Sequence, residues 1–209
     1  GADRGLGQAL CAGLLAQGWR VVAGQYLPDW PELAQLKAQY AEQLVIVPLD
    51  VASDESVRSA AQRAAERVDH VDLLINNAGV TSPTGQRTIR EPQDYAEMQR
   101  MINVNALGPL RVVEAFLGLT DRGGMKRLCF VSSEAGSIAR SRRTAMYGYC
   151  MSKAALNMGV KILFNHLRPE GYTFRVYHPG WMRTYMRGFK NMEADMEPQE
   201  AAVPALAYF

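Results

Sequence analysis

Short apolar runs alternate with longer amphipathic stretches along almost the whole chain, and this alternation is what most restricts the fold. "WRVVAG", "LVIVPLD", "DLLINNAG", "RLCFVSS" and "TFRVYHPG" read as strands bounded by glycine, proline or polar turn residues. "QALCAGLLAQG", closing on Gly18 as a C-cap, "PELAQLKAQYAEQ", "SDESVRSAAQRAAERV" and "YCMSKAALNMGVKILFNHL" carry helical spacing. Ser53 is the expected N-cap of the third of these, with Asp54 and Glu55 in its first turn, where the helix dipole favours acids. One further helix is expected over "DYAEMQRMINVNALGPLRVVEAFLGL", kinked at Gly108-Pro109. Strands separated by helices pair in parallel with helices on both faces, so the expected class is α/β with a doubly wound parallel sheet. No repeat, low-complexity tract or linker divides residues 1–209, which are expected to form a single domain.

The chain opens abruptly. "GADRGLG" fits Gly-x-x-x-Gly-x-Gly at Gly1, Gly5 and Gly7, ahead of an apolar helix expected to begin near Leu6. Glycines there let the backbone turn sharply and approach a pyrophosphate, whose charge the helix N-terminus receives; a generic loop also fits the pattern alone. In a doubly wound sheet this turn follows a central first strand, and nothing precedes Gly1. A sheet without that strand leaves backbone groups unpaired. The expectation is a segment of a longer chain, its first strand missing, truncated at the front and also at the apolar "AAVPALAYF".

A net charge of +2 with 21% charged residues argues against nucleic acid or a membrane surface as partner. No apolar run approaches the ~18 residues of a membrane span, and no signal peptide is visible. Cys11, Cys129 and Cys150 lack metal-like spacing and His70, His166 and His178 are scattered, which points to a reduced, cytoplasmic setting and no metal.

Side-chain chemistry is most legible in "MYGYCMSK". On a helix Tyr149 and Lys153, four apart, share a face; Tyr147 and Lys153, six apart, do not. An ammonium beside a phenol favours the phenolate and lowers its pKa, which makes a usable acid or base. Such a pair also arises by chance on a solvated helix face, so its reading depends on the rest of the chain.

"GADRGLG", "LDV", "NNAG", "INVNALGP", "VSSEAG", "YCMSK" and "HPGWMRT" follow in the order and rough spacing of the classical short-chain dehydrogenases/reductases. From Gly1 to about residue 190 the chain resembles that family, and its glycine spacing is unlike the Gly-x-x-Gly-x-x-Gly of the extended branch of epimerases and dehydratases. The resemblance implies a Rossmann fold, a nicotinamide cofactor and the interconversion of a small-molecule carbonyl and alcohol by hydride transfer. It places Gly1, Arg4, Gly5, Leu6 and Gly7 around the cofactor, Asp50 with Val51 at the adenine, and Asn76, Asn77, Ala78 and Gly79 beneath it. Pro179, Gly180 and Thr184 fall at the nicotinamide carboxamide. Tyr149 is implied as the general acid, its pKa lowered by Lys153, which also bonds the nicotinamide ribose. Ser133 is implied as a donor to the substrate oxygen, and Asn105 as the anchor of a water that completes a proton relay. Asn103 rivals Asn105, although the following "ALGP" favours Asn105; Ser132 is the neighbour that points away.

A carboxylate closing the second strand would mark NAD, but "VVAG" is followed by neutral Gln25 and Tyr26. Arg4 resembles the basic residue of NADP-preferring members, so NADP(H) is favoured over NAD. Fifteen residues between Ser133 and Tyr149, including "ARSRR", exceed the family's usual number and form a basic rim, solvated or attractive to acidic substrates. Met146, Tyr147, Trp181, Met182 and Tyr185 flank the matched motifs and either form an apolar wall near the nicotinamide or belong to the core. A non-enzymatic dinucleotide-binding sensor or scaffold is the alternative reading, against which the retained Tyr149 and Lys153 count. Homo-oligomers through the helices bearing Asn105 and Tyr149 are compatible with the apolar faces there.

Overall fold

In the computed structural model, which describes residues 1–186 and 188–209, the chain alternates between helices and parallel strands. The strands are β1 (Val21–Gln25), β2 (Leu44–Pro48), β3 (Leu73–Asn76), β4 (Arg127–Val131) and β5 (Thr173–Tyr177). The helices are α1 (Gly5–Ala16), α2 (Glu32–Gln39), α3 (Asp54–Ala65), α4 (Tyr95–Ile102), α5 (Gly108–Asp121), α6 (Tyr147–Leu167) and α7 (Pro198–Tyr208). β1 pairs with β2, Val21 opposite Leu44, and β3, β4 and β5 pair in that order, all in parallel. β1 and β3 are not bonded to each other. They flank a cavity of about 360 Å³ lined by Val21, Ala23, Leu73 and Ile75 from the strands and by Leu10 and Phe116 from the helices. At the mouth of this cavity the backbone nitrogens of Gly1 and Ala2 donate to the Gly24 carbonyl.

β4 shows how the layers form. Its side chains alternate across the sheet, as a pleated strand requires. Cys129 and Val131 face α1 and α7, whereas Leu128 and Phe130 meet Val113 of α5 and Leu156 and Val160 of α6. On the same side, Val57, Ala61 and Ala64 of α3 pack with Val112, Phe116 and Leu119 of α5. Ser53 caps α3 by accepting from the Ser56 amide at 3.2 Å, and Gly18 ends the turn after α1 with a φ of +86°.

Three segments depart from the sequence expectation. The helix expected across Asp94 to Leu119 is interrupted by a π-helical turn, Asn103–Leu107, between α4 and α5. Pro109 has no N–H to offer the Asn105 carbonyl, and the wider turn accommodates that loss. Gly108 allows α5 to start against Val51, since a Cβ there would lie 2.9 Å from Val51 Cγ2. The apolar "AAVPALAYF" forms most of α7, whose Ala201, Ala202 and Ala205 stack on Ala9 and Leu10 of α1. Gly13 lets the two helices approach, because a Cβ there would sit 2.2 Å from Leu206 Cδ1. α2 also ends at Gln39, earlier than its apolar pattern suggests.

No helix among the described residues is long and apolar enough to cross a membrane. Leu128 is fully buried at the centre of the α5/α6 cluster, so Leu128→Ala is expected to cost about 2–5 kcal/mol of stability. Urea unfolding should show a lower midpoint with an unchanged slope.

Candidate active site

Each polar group of the candidate site is held by a different element. α6 begins at Tyr147 and carries Tyr149 and Lys153 one turn apart, with Lys153 Nζ 5.9 Å from the centroid of the Tyr149 ring. Lys153 is 3% exposed and donates to the Val131 carbonyl, at the end of β4, at 3.0 Å. Burial pushes its ammonium down from 10.5 to about 8. The π turn aims Asn105, 0% exposed, inward. Its Oδ1 accepts from the Val80 amide at 2.8 Å, and its Nδ2 donates to the Val80 carbonyl and to Ser152 Oγ, both at 2.9 Å. Ser152 Oγ in turn donates to the Tyr149 carbonyl at 2.8 Å.

Asn105 therefore ties the loop after β3 to the first turns of α6. Both amide hydrogens are spent on protein acceptors, so the side chain holds the Val80 backbone and Ser152 together. Asn103 turns elsewhere, its Nδ2 reaching the Ala52 carbonyl at 3.4 Å. Ser133 Oγ accepts from the Ala135 amide at 3.2 Å, capping the short 3₁₀ turn Glu134–Gly136, and lies against the Tyr149 hydroxyl. Ser132 points away and donates to Asn157 Oδ1 at 2.7 Å.

The electrostatics correct one expectation. Burial holds the Tyr149 phenol above its ordinary pKa, and the hydrogen bond with Ser133 and the charge of Arg143 offset this only in part. Lys153 does not lower it here, because the ammonium is turned to the Val131 carbonyl and its own charge is disfavoured by burial.

The glycine loop lies beside this cluster. Gly5 opens α1 with a φ of +60°, and a Cβ on it would meet Thr184 Cγ2 at 3.5 Å. A Cβ on Gly7 would lie 1.9 Å from the Gly1 carbonyl oxygen, which also accepts from Asn77 Nδ2 at 2.7 Å, and one on Gly1 would lie 2.7 Å from Ala78 Cα. The first turn of α1 has neither a side-chain cap nor an acidic residue. Its free N–H groups fit an anionic phosphate, and this is the feature that suits a dinucleotide. Gly79 faces the catalytic candidates, with Asn105 Oδ1 and Lys153 Nζ each 3.6 Å from where its Cβ would be. Gly180 has a φ of +82° and Pro179 beside it is buried. Leu6 and Val51 are core residues, and Asp50 Oδ1 accepts from the Ala52 amide at 2.9 Å, holding its own turn.

The expected apolar wall does not assemble. Met182 packs with Met196 against the α1/α7 core, and Met146 takes a left-handed conformation with its sulfur 3.1 Å from Arg143 Nη1. The Tyr147 hydroxyl donates to the Thr144 carbonyl. Trp181 is exposed, and Tyr185 lies against Trp30 and Arg4. In the basic loop Arg143 pairs with Glu134, while Arg140 and Arg142 are exposed.

Three residues of the site went unnoticed in the sequence. Asp3 is buried and its Oδ1 accepts from the Tyr26 and Leu27 amides at 2.8 and 2.9 Å, fastening the glycine loop to the turn after β1. An acid inside a glycine loop was the available signal. Ser152 and Trp30 carry no such local mark.

A family model for short chain dehydrogenase matches residues 1–195. The chain is similar to the C-signal of Myxococcus xanthus, with 47% identity over 118 residues, which are 56% of this chain and 69% of that protein. It superposes on the NADPH-bound carbonyl reductase from chicken fatty liver with a TM-score of 0.84 and 29% identity, covering 99% of this chain and 87% of that one. The alcohol dehydrogenase of Thermococcus sibiricus complexed with 5-hydroxy-NADP gives a TM-score of 0.85 and 27% identity, over 99% and 86%. With its parallel α/β layers, its glycine loop and its tyrosine and lysine on α6, the chain belongs to the short chain dehydrogenase family and is an oxidoreductase.

Proposed function

We propose that the chain interconverts a small-molecule carbonyl and its alcohol with NADP(H), with Tyr149 as general acid and base. One observation carries the reading: Tyr149, Ser133 and Lys153 converge beside an uncapped helix N-terminus suited to a dinucleotide phosphate. When bound, the nicotinamide supplies or accepts the hydride. Tyr149, with its raised pKa, stays protonated through neutral pH and donates that proton to the carbonyl oxygen during reduction. Ser133 donates a hydrogen bond to the same oxygen as negative charge develops. Once its ammonium turns from the Val131 carbonyl, Lys153, one turn along α6, supplies the positive charge that stabilises the phenolate left behind. Asn105, through Ser152 and Val80, keeps α6 and the loop after β3 in register.

For the cofactor, Arg4 stands at the glycine loop and β1 ends in neutral Gln25. NADP-type cofactors in the chicken and Thermococcus structures support the same choice. A cytoplasmic setting belongs to this reading. So does a homo-oligomer, which exposed Met151, Met158 and Ile162 on one stripe of α6 would bury. The name of the Myxococcus relative favours, as a second reading, a signalling role on the same fold.

Tyr149→Phe is expected to lower carbonyl reduction at least about 10³-fold while NADPH affinity, followed by nicotinamide fluorescence, stays within about twofold. Turnover at the wild-type rate would overturn the role of Tyr149, whereas wild type that binds NADPH but reduces no carbonyl would favour the signalling reading. Ile162→Glu is expected to shift the sedimentation coefficient to that of a monomer; an unchanged value would remove α6 from any interface.

Lys153 adds a pH test. Its unfolded value near 10.5 and folded value of about 8 mean that, between them, only the unfolded chain holds the proton. Stability from this group is full above 10.5 and is lost as pH falls through 8, a cost on the order of 3 kcal/mol at neutral pH. Lys153→Met should therefore be inactive yet more stable than wild type by about 2 kcal/mol at pH 7, allowing for the lost hydrogen bond. Urea unfolding should show that advantage shrinking towards pH 10.5; a gain independent of pH would mean that the buried charge is not its source.

A further inference from the structure

Arg4 is held in an unusual way for an arginine at the head of a helix. Its guanidinium lies over the Trp30 ring, 4.5 Å from the centroid, and 5.7 Å from the centroid of Tyr185. The two rings meet edge to face, 5.1 Å apart at 69°. Three elements converge here: the glycine loop, the turn between β1 and α2, and the loop that follows β5. Among the described residues Arg4 forms no ion pair with a carboxylate. Its one protein acceptor among them is the Tyr185 carbonyl, at 3.4 Å from Nη2. Neighbouring Asp3 is occupied by the Tyr26 and Leu27 amides. The indole Nε1 of Trp30 is buried and has no partner among the described residues.

A guanidinium offers five N–H donors around its edge and two faces that suit aromatic rings. With the guanidinium held over Trp30 and beside Tyr185, on the same side as that ring pair, edge donors remain for an anion, and part of the rotamer freedom of a long side chain is already spent. We propose that Trp30 and Tyr185 are positioning residues that hold Arg4 for the 2′-phosphate of the cofactor and so set its selectivity. The inference rests on the NADP(H) reading above. It adds two residues, 26 and 181 positions from Arg4, without which a single arginine with no basic companion after β1 would be a loose recognition element. Because Tyr185 belongs to the loop after β5, which also bears Thr184, the same contact joins the phosphate end of the cofactor site to its nicotinamide end.

The test uses the full chain and two ligands that differ only in the 2′-phosphate, 2′,5′-ADP and 5′-AMP, titrated by calorimetry. Wild type should prefer 2′,5′-ADP, and Arg4→Ala should abolish the preference. Trp30→Ala and Tyr185→Ala should each reduce it about fivefold or more while 5′-AMP affinity stays within about twofold. Trp30→Phe and Tyr185→Phe, which keep an aromatic face, should retain it. Trp30→Leu and Tyr185→Leu, which keep bulk without that face, should lose it, and they decide the matter where an alanine variant does not fold. An unchanged preference in the Ala and Leu variants overturns the clasp and leaves the NADP(H) reading intact, provided Arg4→Ala still loses it. Tighter 2′,5′-ADP binding in those variants also overturns it, since the rings would then be an obstruction. Wild type without a preference, or an Arg4→Ala variant that keeps one, overturns both readings together.

Discussion

The amide of Asn105 is the contact on which the site's geometry depends. A buried amide left without partners costs about as much as several ordinary hydrogen bonds contribute, so Asn105 must find its donors and acceptors or the surrounding turn must move. It finds them in Val80 and Ser152, and thereby fixes the distance between the loop after β3 and the start of α6. It can reach them because the chain leaves α-helical geometry for one turn, Asn103–Leu107, immediately ahead of Pro109. A proline that subtracts one backbone hydrogen bond thus results in a side chain pointing into the site. Gly108, crowded by Val51, fixes where the ordinary helix resumes.

With that frame set, the two titratable groups of α6 sit in environments that work against their charged forms. Burial disfavours both the phenolate of Tyr149 and the ammonium of Lys153. Among the described residues neither is compensated by a carboxylate or a full ion pair; Lys153 has a backbone carbonyl and Tyr149 a serine hydroxyl. Such an arrangement weakens the fold, and under the proposed function it readies the site, since a proton that leaves Tyr149 would create the charge that Lys153 lacks. A core optimised for stability alone would place apolar residues at both positions.

The alternation of strands and helices was legible because it is local: each apolar run, cap and glycine acts within its own few residues, as Ser53 and Gly18 do. The tyrosine and lysine were legible for the same reason, being one helical turn apart. What was not legible depends on contacts between distant segments. The terminal run is assigned no element from its sequence, and its helical state, with Pro204 inside it, is favoured by packing on α1 and by the reciprocal cap of Glu197 and Glu200. The direction of the Tyr149 shift was misjudged because charge spacing is visible in a sequence and burial is not. The apolar wall failed likewise: residues adjacent to the matched motifs were divided among core, surface and the ring pair around Arg4.

The glycine loop shows how far a motif's usual reading can differ from its physical reason. Its three glycines were read as giving a phosphate room to approach. Gly7, however, is required by the chain itself, since any Cβ would strike the Gly1 carbonyl, and Gly1 is nearly as crowded by Ala78. Only Gly5 combines a left-handed φ with open neighbouring space, bounded by Thr184. Two glycines thus press the loop onto the residues after β3, and the third turns the chain into α1 with its N–H groups unspent. The packing is what makes the binding surface: if the loop stood further from Asn77 and Ala78, the uncapped end of α1 would be displaced from Gly79, Asn105 and Lys153. The pattern therefore encodes the separation between the uncapped end of α1 and the Tyr149–Lys153 face of α6, and under the proposed function that separation is the property a hydride-transferring enzyme has to keep.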